Sequence, residues 1–142
     1  MIWRAEVQSG RVLEWWIAAQ TLALGLFLLA PSASMTGPAY DYMRLCASEP
    51  VFGGMFAAAG AAHLVALAVN GARARATTAV RAVVAAFAVF AWAAFAVGVY
   101  QSDPWSTGVA TYGGQAVAAA VAVYRATRDA LRVRRPAGRG AE

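Results

Sequence analysis

The sequence predicts an all-α fold: a four-span transmembrane helix bundle with short loops, both termini in the cytoplasm and a basic cytoplasmic C-terminal helix. Two observations carry this. Four stretches of about 18 to 23 residues are almost free of charge, and a helix needs ~20 apolar residues to cross a ~30 Å hydrocarbon core. Eleven of the twelve arginines fall on one side of the resulting topology.

The first span covers about residues 13–30, LEWWIAAQTLALGLFLLA. Trp15 and Trp16 stand at its start, where interfacial aromatics belong, and Pro31 ends it because proline cannot continue a helix. The segment before it has no small-residue cleavage pattern after its apolar run, so it reads as a retained span and not a signal peptide. The polar stretch SASMTGPAYDYMRLCASEP reads as the longest loop. The second span covers about 51–70 and the third about 78–100, joined by the basic turn GARARATTAVR. Arg81 lies near the first turn of the third span. QSDPW makes a tight turn, the fourth span covers about 106–124, and helix continues to about Arg135. Residues 1–135 thus form one transmembrane domain, and 136–142 read as a disordered tail.

Orientation follows from the arginines. Arg4 and Arg11 precede span one. Arg73, Arg75 and Arg81 lie between spans two and three, and six more lie in the tail. Arg44 alone is on the other side. The positive-inside rule places the eleven in the cytoplasm. In lipid every backbone polar group must be satisfied internally, which makes the spans helices.

Composition narrows function. The chain is 61% hydrophobic and 13% charged, about half the charged fraction of a soluble domain. The net charge of +5 is placed as membrane topology requires, so nucleic acid is not an expected partner. Cys46 is alone, which excludes an internal disulfide and a cysteine metal site. No nucleophile–base pair, metal-ligand spacing or phosphate loop is present. The expectation is no catalytic residue, no cofactor and no enzyme activity.

The polar residues inside the spans are the candidate site. At helical spacing Gly53, Phe56, Gly60, His63, Leu67 and Asn70 share one face, alternating three and four apart as a helix seam does. That face points His63, the only histidine, into the protein. Gln20 and His63 lie ~10 Å above the cytoplasmic edge, and Gln115 ~15 Å, at 1.5 Å per residue. Trp92 is at comparable depth with an N–H to donate. Gln20, His63, Trp92 and Gln115 therefore predict a hydrogen-bonded layer that glues helices together, with an ion or proton path as the sharper alternative. Glu14, beside two interfacial tryptophans, reads as solvated or paired with Arg11. Gly53 and Gly60 on span two, and Gly108 and Ala119 on span four, are packing positions, and these small-residue faces favour self-association. Arg125, Arg128, Arg132 and Arg135 form one helical stripe for anionic lipid headgroups or a cytoplasmic partner.

The order of features resembles small four-span membrane proteins of tailed phages and prophages of Gram-negative bacteria, a mostly uncharacterised group. The residues that carry the resemblance are Trp15–Trp16 with Gly25 and Pro31, then Tyr40, Met43 and the SEP at Ser48–Pro50. Asn70–Gly71, Arg81 and Trp92 follow, with STGVATY at Ser106–Tyr112 and YRATRDA at Tyr124–Ala130. Phe52–Gly53 fits the aromatic–glycine opening of span two approximately, and the small residues of GGQAVAAAVAV depart from the pattern in span four. The resemblance implies a multi-pass protein of the bacterial inner membrane that works through contacts with itself or other membrane proteins, in assembly, infection or superinfection exclusion. A holin-like permeabilising oligomer is the alternative, and a small transporter or proton path the third. The resemblance carries no catalytic residue over.

Overall fold

A computed structural model describes residues 2–31, 34–69 and 74–134, with side chains described at 11–31, 34–69 and 77–131. Among these residues the chain is all-helical. The elements are α1 (Ile2–Leu28), a 3-10 turn (Pro38–Tyr40), α2 (Asp41–Cys46), α3 (Glu49–Ala68), α4 (Ala74–Ser102) and α5 (Thr107–Arg134).

Local chemistry sets the ends. Pro50 lies in the first turn of α3, where its missing N–H is not needed. Glu49 beside it turns back to the connection from α1. Its carboxylate accepts from the Ser34 backbone N–H at 2.8 Å, from the Met35 N–H at 3.2 Å, and from the Ser34 hydroxyl. Ser106 caps α5, its hydroxyl accepting from the Gly108 N–H at 3.2 Å. Two boundaries differ from the sequence reading. α1 starts about three turns before Leu13, since nothing between Ile2 and Val12 breaks a helix once the apolar part has nucleated it. The long loop also contains a turn and the short helix α2, which is anchored by buried Met43 and a surface Arg44–Asp41 ion pair. The turn at Asn70–Gly71 and the tail from Arg135 onward lie outside the described residues.

The helices alternate in direction, as the contacts between them show. Gly25 meets Ala57, Leu22 meets Gly60 and Leu29 meets Gly53; the residue numbers rise on α1 as they fall on α3, so the pair is antiparallel. Tyr112 against Trp92 and Asp129 against Arg81 give the same sense to α4 and α5. Between α1 and α4 the numbers rise together, from Glu14–Arg81 to Thr21–Trp92, so these two run parallel across the bundle. The closest-packed pairs are α1 with α3 and α4 with α5.

Small residues make both pairs close. A Cβ on Gly60 would stand 2.6 Å from Leu22 Cα, and one on Gly25 would stand 2.7 Å from Ala57 Cα. In the other pair Ala85, Ala88, Ala119, Ala122 and Ala126 are fully buried at three- and four-residue spacing. The centre is aromatic. Phe56 packs edge-on against Phe87, Trp92 and Phe95 at centroid distances of 5.7, 6.1 and 5.6 Å. Tyr112 stacks on Trp92 at 5.9 Å, and Tyr40 closes the end against Phe95. Such pairs add about 0.5–1.5 kcal/mol each beyond area burial.

The outside is apolar as well. Leu26, Phe27, Val65, Val83, Phe90 and Val117 are all exposed. α3 and residues Thr77–Ser102 of α4 are each long and apolar enough to cross a membrane.

Candidate functional site

One end of the bundle holds a buried charge centre built from four helices. Arg81, on the second turn of α4, is fully enclosed (0% exposed). Its Nε donates to Glu14 Oε2 at 2.8 Å and its Nη2 to Glu14 Oε1 at 2.7 Å, a two-pronged pair with α1. Nη2 also reaches Asp129 Oδ2 on α5 at 3.4 Å. Glu14 is 2% exposed, whereas Asp129 is 40% exposed and marks the wet edge. Thr77 and Thr78, one turn before Arg81, are buried on the same end.

This corrects the reading of Glu14. It is neither solvated nor held at the surface, because Arg81 crosses the bundle to meet it. The planar guanidinium matches a carboxylate with two parallel N–H donors. Desolvating both charges is expensive, and only such geometry offsets it. The sequence did contain a signal: an arginine and a glutamate each lay just inside an apolar span, and charges inside membrane helices pair. Counting Arg81 with the loop arginines hid it.

His63 supplies the fourth helix. The face of α3 read from spacing is its buried face, with Gly53, Phe56, Gly60, His63 and Leu67 all enclosed. His63 is 2% exposed, lies within electrostatic reach of Arg81, and its Nε2 has no hydrogen-bond partner among the described residues. Leu22 meets Gly60 and Gly25 meets Ala57, so His63 lies level with Ala19, roughly 7 Å deeper in the bundle than Glu14 at 1.5 Å per residue.

The four members of the expected polar layer are placed differently from one another. Trp92 is buried, and its Nε1–H donates to the Thr21 hydroxyl at 3.3 Å; that hydroxyl in turn donates to the Ile17 carbonyl at 2.7 Å. Gln20 and Gln115 are half-buried, and no hydrogen bond among the described residues joins either to His63 or Trp92. The residue beside Gln20, Thr21, is the one that meets Trp92.

Gly53 and Gly60 face α1, Ala119 is sealed against Ile17, Ala88 and Trp92, and Gly108 is half-buried beside Val99. The glycine face of α3 and Ala119 and Ala122 of α5 are thus buried within one chain. Arg128 is exposed, its guanidinium 5.7 Å from the Tyr124 ring centre, and Arg125 is half-buried. The side chains of Arg132 and Arg135 lie outside the described residues.

Comparison of the chain with family models, characterised proteins and solved structures finds no match. Among the described residues no cluster of three His, Cys, Asp or Glu side chains is arranged to hold a metal ion.

Proposed function

We propose that this is a four-span integral protein of the bacterial inner membrane, with both termini cytoplasmic, that acts through protein contacts and carries out neither catalysis nor transport. The arginine asymmetry supports the orientation, and the length and apolarity of α3 and of Thr77–Ser102 in α4 support the spans. In this orientation the Glu14–Arg81–His63 centre sits at the cytoplasmic end of the bundle.

One observation carries the non-conducting part. Above the charge centre, the bundle interior is filled by Phe56, Phe87, Trp92, Phe95 and Tyr112. A route for ions or protons needs polar groups or water along its length, and this stretch offers a packed aromatic plug. The polar residues reach it from one side and stop. The resemblance to phage membrane proteins supports a role in assembly, infection or exclusion, in contact with anionic lipid through Arg125 and Arg128 and with other membrane proteins, or a second copy, through the exposed helix faces.

The holin reading rests on size, short loops and a basic tail. Inducible expression in a Gram-negative host beside an endolysin lacking its own signal separates the two. The contact protein leaves membrane potential and optical density steady at confirmed membrane expression. Abrupt depolarisation followed by lysis establishes the holin instead.

A further inference from the structure

The charge centre contains two buried atoms that the protein does not satisfy. Arg81 Nη1 and His63 Nε2 are both enclosed, and both lack a hydrogen-bond partner among the described residues. Unmade hydrogen bonds at buried polar atoms are rare and call for a partner. The two side chains come from α4 and α3 and lie close enough for the guanidinium charge to act on the imidazole. Nη1 can only donate, whereas Nε2 of a neutral imidazole accepts or donates according to tautomer. One small molecule that both accepts and donates serves the two atoms in either tautomer.

We propose that the His63–Arg81 junction is a water-binding site, fed from the Asp129 edge and closed above by the aromatic plug. Charge favours water over an anion. Two carboxylates, Glu14 from α1 and Asp129 from α5, already meet Arg81 from α4. An anion beside Arg81 would be repelled by both. Asp129, 40% exposed and touching Arg81, supplies a polar edge through which water arrives. Phe56 and Trp92, in edge-on contact, stop it. The bound water ties α3 to α4 as Glu14 and Asp129 tie α1 and α5, so all four long helices share one polar clasp. Buried waters of this kind typically make about three hydrogen bonds and are costly to remove. The inference deepens the reading of a non-conducting bundle: hydration enters from one side only.

The test uses the full chain in phospholipid liposomes, with isotope-labelled histidine and phenylalanine. The chain has a single histidine, so one imidazole signal reports His63. Solid-state NMR follows the transfer of water magnetisation. The expected result is build-up at the imidazole several-fold faster than at the phenylalanine rings, with imidazole shifts unchanged when chloride is replaced by nitrate. Build-up as slow as at the phenylalanines overturns the site, and an anion-dependent shift replaces water by an ion. Arg81→Lys removes Nη1 and is expected to slow the build-up towards the phenylalanine rate. Asp129→Leu leaves both holders in place and is expected to slow it by closing the entry; unchanged rates in both variants overturn the assignment. A pH gradient set across the same liposomes separates the two ideas: its rapid collapse refutes the non-conducting reading, whatever the state of His63.

Discussion

Replacing Arg81 by methionine keeps most of the apolar stem and removes both N–H donors that hold Glu14. The carboxylate then stays 2% exposed with its partner gone. Stranding one member of a buried pair costs about 3–5 kcal/mol. The converse change, Glu14→Leu, strands the guanidinium, and the contact to Asp129 at 3.4 Å offsets part of the loss, so the low end, about 3 kcal/mol, applies. The double variant Glu14→Leu/Arg81→Met leaves only the partly exposed Asp129 charge behind and replaces the buried pair by apolar groups of similar length. Such replacements are often neutral or stabilising, so it is expected within about 1 kcal/mol of the parent. The cycle therefore departs from additivity by about 5 kcal/mol or more, beyond the ~0.5–3 kcal/mol of most residues in direct contact. Reversible unfolding in bicelles, measured by steric trapping, reads all four states. Additivity within about 0.5 kcal/mol, or a double variant as unstable as Arg81→Met, refutes the claim that this is an enclosed, directly bonded pair.

Three further outcomes follow from the packing. Gly60→Ala places a methyl 2.6 Å from Leu22 Cα, where ordinary contact begins at 3.4 Å. Backbone cannot yield as a side chain does, so α1 and α3 separate; a loss of about 2–3 kcal/mol in the same unfolding assay is expected, against little change for Gly54→Ala, which meets nothing within 4 Å. Trp92→Phe loses the bond to Thr21, about 0.6 kcal/mol, and leaves a cavity in place of the larger buried ring that costs about 1 kcal/mol more; no loss in the unfolding assay would contradict the packed aromatic centre. Glu49→Ala removes the acceptor of the Ser34 and Met35 amides. Those amides are expected to exchange faster with deuterium while the centre of α4 is unchanged, and unaltered exchange at Ser34 contradicts the clamp.

The helices and the inward face of α3 were legible because each depends on neighbours in sequence. Apolar length marks a helix that can cross lipid, and spacing of three and four marks its buried side. The Glu14–Arg81 pair was not legible in the same way. Its members are 67 residues apart, and their meeting depends on α1 and α4 lying parallel across the bundle, which no local pattern encodes. The polar layer illustrates the difference. Similar depth singled out Gln20, yet depth does not fix rotation about the helix axis, and rotation turns Thr21 towards Trp92. The glycines show a third case: spacing identified a close-packing face, but not that its partner would be α1 of the same chain. α2, at six residues, is too short to leave a periodic signal.

Orientation is the claim on which the rest stands, and the chain carries its own probe. Cys46 is the single cysteine and is exposed at the end of α2. A membrane-impermeant maleimide added to intact spheroplasts is expected to label Cys46, while Cys46→Ala/Ala72→Cys is expected to react only after the membrane is opened. Labelling in the reverse pattern places the arginines outside and the charge centre away from the cytoplasm, and labelling of both sites from one side contradicts the four-span bundle.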